Sequence, residues 1–195
     1  MDEVLEEAAH AVMSGGVIAI PTDTVYGLAC DPSNLAAVGR IFAIKRRPAA
    51  LELSLLAASK ADLERMVEFS SYASELAERY WPGPLSLVLP ASRDAALAVP
   101  RGGTTLMVRV PDHEVLLNLL RLTGPLASTS ANRHGAAPAV SAAEVEAALG
   151  SEVALVVDGG RGGGRASTII DCAASPPRLL REGPISADEV LSRQQ

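Results

Sequence analysis

The sequence predicts a single α/β domain built on a mixed sheet. Short apolar runs rich in β-branched residues recur along the chain, segments with helical spacing stand between them, and no linker or repeat divides the 195 residues. A chain of this length buries a core of ordinary size, so one domain over residues 1–195 is expected. Hydrophobic residues make up 48% of the chain and aromatics 3%, which leaves Ala, Val and Leu to fill the interior and excludes a disordered chain.

Asp2 to Ser14 reads as an amphipathic helix, with Val4, Leu5, Ala8, Ala11 and Val12 on one side, and Gly15-Gly16 stops it. Val17 to Ile20 follows as a strand buried on both faces, ended by Pro21. Asp31 to Asn34 offers a turn and cap for a helix over Leu35 to Ala43, which runs into Lys45-Arg46-Arg47-Pro48. Leu53 to Ala57 is a strand, and Lys60 to Trp81 is helical with a break near Ser70-Ser71, closed by Pro82-Gly83-Pro84. Leu85 to Leu89 and Thr105 to Val110 are strands separated by a loop, and Pro111-Asp112 introduces a helix over His113 to Leu122. Leu126 to Thr129 is a strand, and Ser141 to Leu149 is a helix with a capping box between Ser141 and Glu144. Val153 to Asp158, Ser167 to Asp171 and Arg178 to Arg181 are strands, and Ile185 to Leu191 closes the chain as a helix.

The net charge of −6 disfavours binding to nucleic acid driven by charge over the whole surface, while leaving room for a local basic patch. The N-terminus is acidic, where a secretory or transit peptide would be basic, and no apolar run approaches the length of a membrane span, so a cytoplasmic protein is expected. Cys30 and Cys172 stand alone as small apolar residues, and His10, His113 and His134 lack metal-ligand spacing, so no structural metal is expected.

The chemistry gathers at strand ends. Thr22-Asp23-Thr24 follows the strand that ends at Pro21, and reads either as a turn satisfying its own backbone or as the wall of a ligand pocket. Lys45, Arg46 and Arg47 complement a helix C-terminus, or equally suit a polyphosphate, because arginine grips phosphate oxygens bidentately and lysine adds a point charge. Arg109 ends an apolar strand, where an arginine calls for a carboxylate or phosphate partner. Ser128-Thr129-Ser130-Ala131-Asn132 carries three hydroxyls and an amide with no large side chain among them, so a ligand can approach its backbone closely. Gly159 to Gly164 contains five glycines but lacks the P-loop ending, and reads as a lid or turn rather than a nucleotide cradle. Ser167 and Arg181 add polar points at two further strand ends, and neither a Ser-His-Asp relay nor a paired-carboxylate site is visible.

In this order, PTDTVYGL at Pro21 to Leu28, KRRP at Lys45 to Pro48, WPGPL at Trp81 to Leu85, RVPDH at Arg109 to His113, TSAN at Thr129 to Asn132, and ASTIID with LLREG at Ala166 to Gly183 resemble the YrdC-like family. Its best-known members are L-threonylcarbamoyladenylate synthases, and the resemblance covers nearly the whole chain. It implies a twisted mixed sheet with a large concave basic cavity where ATP, L-threonine and bicarbonate meet to form threonylcarbamoyl-AMP and pyrophosphate, with Mg2+ accompanying ATP. The resemblance places Lys45, Arg47, Thr105, Ser130, Asn132 and Arg181 around ATP, and Thr24, Arg109, Ser128 and Ser167 around threonine and the forming carbamate. Lys45, Arg47 and Arg109 are the implied catalytic residues, and proteins of tRNA modification the downstream partners. After Pro48 the chain departs from the family pattern, with Leu51-Glu52-Leu53 where a polar residue and Pro-Leu are common. Two other readings fit the same residues: an RNA- or nucleotide-binding relative without synthase activity, since family members are linked to double-stranded RNA, and an enzyme making another carbamoyl-adenylate.

Overall fold

The computed structural model describes residues 2–46, 53–92 and 103–191. Arg47, together with Leu51 and Glu52, lies outside the described residues. Helix α1 (Asp2–Met13) leads into β1 (Ile18–Ile20), which turns through the Thr22–Thr24 segment into β2 (Gly27–Cys30). Then follow α2 (Leu35–Lys45), β3 (Ser54–Leu56), α3 (Lys60–Leu63), α4 (Ser71–Tyr80), β4 (Leu85–Pro90), β5 (Thr105–Arg109), α5 (Glu114–Thr123) and β6 (Leu126–Ser130). The chain continues through α6 (Ala142–Leu149), β7 (Leu155–Val156), β8 (Thr168–Asp171), β9 (Arg178–Arg181) and α7 (Ala187–Leu191). The sheet is mixed, in the order β7-β1-β2-β6-β3-β5-β4-β8-β9 among the described residues.

Most expected elements are present to within a residue or two, with cap residues as anticipated: Asn34 Oδ1 accepts from Ala37 N at 3.1 Å and Ser141 Oγ from Glu144 N at 3.3 Å. Glu144 completes a capping arrangement by accepting from Val140 N at 2.8 Å, one residue before the usual capping-box donor. Three differences have physical causes. Gly27–Cys30 is a strand that the sequence conceals, because four small or unbranched residues show no period of two; pairing with β1 and β6 on its two sides decides the matter. The break expected near Ser70-Ser71 within Lys60 to Trp81 is present but begins earlier, after Leu63, and Val67 between the two helices pairs with Ala91. The strand expected over Val153 to Asp158 shortens to Leu155–Val156, since its neighbour β1 is itself three residues long.

Strand alternation assigns the two faces. Leu28, Leu55, Ala127 and Val108 point into apolar layers built with α2 and α6 on one half and α3, α4 and α7 on the other. On the opposite face, Ile18, Ile20, Ala29, Leu56 and Leu126 pack beneath α1 and α5. Those two helices cover only part of their face, and the remainder is a concave floor.

A tight return at the far edge shows how closely the strands are packed. Gly183 N donates to Thr168 Oγ1 at 2.9 Å, and a Cβ on Gly183 would overlap the Thr168 nitrogen and the Ala166 carbonyl oxygen. Gly183→Ala is therefore expected to cost about 1–3 kcal/mol, because the obstacle is backbone and cannot rotate away. Urea denaturation measures it, and a loss below about 0.5 kcal/mol, the range of an ordinary surface change, would contradict this packing.

Candidate active site on the open face of the sheet

The floor of the cavity follows from strand register. Ser54 lies opposite both Met107 and Ser128, Leu56 opposite Arg109, and Gly27 opposite Ser130, so these residues share one face. Together with Ser86 from β4, Thr22, Thr24, Val25 and Tyr26 of the turn, Ala166, Ser167 and Arg181, they line a cavity of about 600 Å³, the open solvent at its mouth included. No carboxylate side chain is among the described lining residues. Gly27 leaves room for Ser128: a Cβ there would stand 2.9 Å from Ser128 Oγ, which would have to turn aside.

Arg109 is 5% exposed and makes three hydrogen bonds. Its Nε donates to Gly83 O at 2.9 Å, Nη1 to Thr24 Oγ1 at 2.9 Å, and Nη2 to Asp23 Oδ1 at 2.5 Å. Burial pulls the guanidinium below its ordinary value, and the Asp23 carboxylate pushes it back. The partner expected for a strand-terminal arginine is thus Asp23, a residue the sequence left between turn and pocket. Thr22 belongs to the turn: its hydroxyl donates to Val25 O at 2.7 Å and accepts from Thr24 N at 3.0 Å. Thr24 Oγ1, 2.9 Å from Thr22 Oγ1, is the atom that meets Arg109.

Lys45 is 3% exposed, and its ammonium sits behind the floor. It donates to Ser130 O at 2.5 Å, Asn132 Oδ1 at 2.8 Å and Asn132 O at 3.0 Å, with Ser130 Oγ at 3.4 Å. Ser130 Oγ in turn donates to Asn132 Oδ1 at 2.6 Å. Lys45 thus ties the end of α2 to the Ser130–Asn132 loop, and of these three residues Ser130 lines the cavity.

Arg181 closes the other end, with Nε donating to Ser167 O at 2.9 Å and Nη2 to Ser167 Oγ at 3.0 Å. Desolvation lowers its pKa, and its charge also acts on Arg109, so the two cations sense each other across the cavity. Thr105, expected beside ATP, sits at the opposite end of β5 from Arg109, pairs with Pro90, and is not among the lining residues.

The glycine segment is hydrogen-bonded onto the turn that carries Asp23 and Thr24. Gly162 N donates to Val140 O at 2.9 Å, Gly163 N to Asp23 O at 3.2 Å and Gly164 N to Thr24 O at 2.8 Å, while Tyr26 Oη donates to Gly160 O at 2.8 Å. A Cβ on Gly162 or Gly163 would stand 2.9 Å from Thr24 O or 2.8 Å from Asp23 O, so the glycines let the segment lie directly on the turn that presents Thr24. Burial raises the Tyr26 hydroxyl above its ordinary value, keeping it a donor.

Beyond the expected residues, the structure adds Asp23, Ser54, Ser86, Tyr26 and Met107 to the cavity or its supports. Ser86 had a signal in the sequence, being the one hydroxyl within Leu85–Leu89. Ser54 and Met107 follow from Ser128 and Arg109 once register is known, and register is what a single sequence does not show.

The chain is an α/β protein whose open sheet face is lined by hydroxyls and two arginines, a lining whose chemistry suits oxyanions. Residues 10–183 match the family model described as telomere recombination, that of Sua5, YciO and YrdC. The chain belongs to the Sua5/YciO/YrdC family. It is 40% identical to the threonylcarbamoyl-AMP synthase of Pyrococcus abyssi over 94% of its own length and 55% of that protein's. It is also 40% identical to the synthase of Vibrio cholerae, covering 93% of this chain and 98% of that one. The chain thus spans about half of some relatives and nearly all of others. Among solved structures, P. abyssi Sua5 complexed with L-threonine superposes with a TM-score of 0.89 at 39% identity, over 96% of this chain and 57% of that one. E. coli YciO superposes with a TM-score of 0.89 at 27% identity, over 98% and 94%.

Proposed function

We propose that this chain is a threonylcarbamoyl-AMP synthase, a nucleotidyl-transferring enzyme that converts L-threonine, bicarbonate and Mg·ATP to threonylcarbamoyl-AMP and pyrophosphate. The observation that carries the reading is the hydroxyl-lined cavity bracketed by Arg109 and Arg181, in a chain whose relatives bear that name and include one solved with L-threonine. Bicarbonate loses its hydroxyl, with a proton, as water; the threonine amine adds to the resulting carbon dioxide and releases a proton. A carbamate oxygen then bonds to the α-phosphorus of ATP while the bond from that phosphorus to the bridging oxygen breaks and pyrophosphate leaves.

Such a displacement needs in-line placement and neutralisation of phosphate charge more than covalent help, which fits a site of arginines and hydroxyls. In this reading Arg109, Thr24, Ser128 and Ser167 hold threonine and its carbamate. Lys45, Arg47, Ser130, Asn132 and Arg181 serve the nucleotide side, and Thr105 contributes to it at most from a distance. With no carboxylate among the described lining residues, Mg2+ is carried by the triphosphate and water. The adenylate is passed to proteins of tRNA modification, and the reaction belongs to the cytoplasm. Among the described residues no helix is long and apolar enough to cross a membrane.

Pyrophosphate release from ATP and bicarbonate tests the reading, with threonine, serine or no amino acid supplied. The expected result is release that depends on threonine and exceeds that with serine. Background release in all three by folded protein overturns it, and strong salt-sensitive RNA binding in the same preparation would then favour the RNA-binding alternative.

A further inference from the structure

Ser86 on β4 and Ser167, the residue before the neighbouring β8, face the cavity, 2% and 5% exposed. Their hydroxyl oxygens lie 2.9 Å apart, and Ser167 Oγ also accepts from Arg181 Nη2 at 3.0 Å. Neither hydroxyl donates any further hydrogen bond among the described residues. The pair owns two hydroxyl protons, and the contact between its oxygens uses one of them. If Ser86 donates to Ser167, the Ser167 proton is uncommitted; if Ser167 donates, the Ser86 proton is. In both arrangements one donor points to the cavity beside the Arg181 guanidinium.

Thr24 is the contrast. Its hydroxyl lies between Thr22 Oγ1 and Arg109 Nη1, and because Thr22 gives its own proton to Val25 O, the Thr24 proton is committed to Thr22. The cavity therefore has a hydroxyl donor at the Ser86 end that it lacks at Thr24. A donor next to a cation, with no acidic side chain among the described lining residues, selects an anionic oxygen.

We propose that Ser86 is a positioning residue for the amino-acid substrate: its bond to Ser167 fixes the hydroxyl pair so that one proton is presented to a carboxylate or carbamate oxygen. The inference rests on the synthase reading for its substrate and adds Ser86, a residue that touches the substrate only through its partner or through the one proton the pair leaves over. Without Ser86 the Ser167 hydroxyl is free to rotate, and the donor is no longer held towards the ligand.

The test compares wild type, Ser86→Ala and Ser86→Thr by calorimetric titration with L-threonine and by steady-state pyrophosphate release. Ser86→Ala is expected to weaken threonine binding, and to raise the threonine KM, by about tenfold, the effect of one hydrogen bond to a charged group. The KM for ATP should stay within about twofold, and Ser86→Thr, which restores a hydroxyl, should recover most of the loss. A merely structural serine would shift both KM values together with the melting temperature, and that result overturns the proposal. So does threonine binding by Ser86→Ala that matches wild type, or a threonine variant as weak as the alanine one. If wild type binds threonine but releases no pyrophosphate, the synthase reading fails and the titrations still decide on Ser86. Absence of threonine binding by wild type overturns both.

Discussion

Arg109→Met lowers threonine-dependent pyrophosphate release by at least roughly a hundredfold, the scale of removing one preorganised donor from the place where charge develops. The expectation comes from where the guanidinium stands. Its three bonds to Gly83, Thr24 and Asp23 fix its plane, and the remaining N–H groups belong to a side chain that lines the cavity. Methionine keeps the length and loses every donor. It also strands the Asp23 carboxylate, 15% exposed, and breaking a buried pair from one side costs about 3–5 kcal/mol. A fall in the melting temperature is therefore part of the expected result, and Arg109→Lys separates the two effects. Lysine keeps a charge for Asp23 but not the planar fork, so it should recover much of the stability and little of the activity. Activity restored by lysine would mean that charge alone, and not the fork, is what the site requires.

Lys45→Met should be nearly as severe by a different route. The ammonium is surrounded by four oxygens from Ser130 and Asn132, and a thioether satisfies none of them. Ser130 O keeps the Asn132 N–H and Asn132 Oδ1 keeps the Ser130 hydroxyl, so the loss falls mainly on the Asn132 carbonyl, at about 1–3 kcal/mol where water does not reach it. The loop that carries Ser130 should loosen, and the KM for ATP rise about tenfold or more, while the threonine KM moves less. Lys45→Arg should not rescue, because a planar fork cannot point at acceptors grouped around a single nitrogen. The measurement is the pair of KM values with a thermal melt. An unchanged ATP KM in a variant of lowered stability would reduce Lys45 to a structural tie between α2 and β6.

The two variants show where sequence and structure divide the labour. Elements with their own local signal were legible: α2 between its Asn34 cap and the basic cluster, α6 from Ser141, and the apolar runs that became β4, β5 and β6. Gly27–Cys30 was hidden because its strand character comes from neighbours on both sides and not from its residues. In the site, Arg109, Lys45, Ser130 and Ser167 stood out as polar residues at element ends. Their partners did not: Asp23 meets Arg109 across 86 positions, and Lys45 meets Asn132 across 87. Lys45 read from sequence as a phosphate ligand because a terminal lysine beside arginines suits one; its ammonium also bonds Ser130 and Asn132, contacts that no local pattern signals. Ser86 stands out in the sequence only as the one hydroxyl within Leu85–Leu89, and the parallel pairing of β4 with β8 is what brings it to Ser167. The glycine segment was legible as a turn, but the reason for its glycines lies in the carbonyls of Asp23 and Thr24 beneath it.

The central claim is that this cavity joins three substrates into one mixed anhydride. Incubation of the protein with carbon-13 bicarbonate, L-threonine and Mg·ATP, followed at once by mass spectrometry of the nucleotide products, tests it most directly. The expected product is an adenylate containing threonine and a single labelled carbon, formed in step with pyrophosphate and absent when bicarbonate is withheld. Pyrophosphate released without bicarbonate, or a threonyl-adenylate lacking the label, would contradict it.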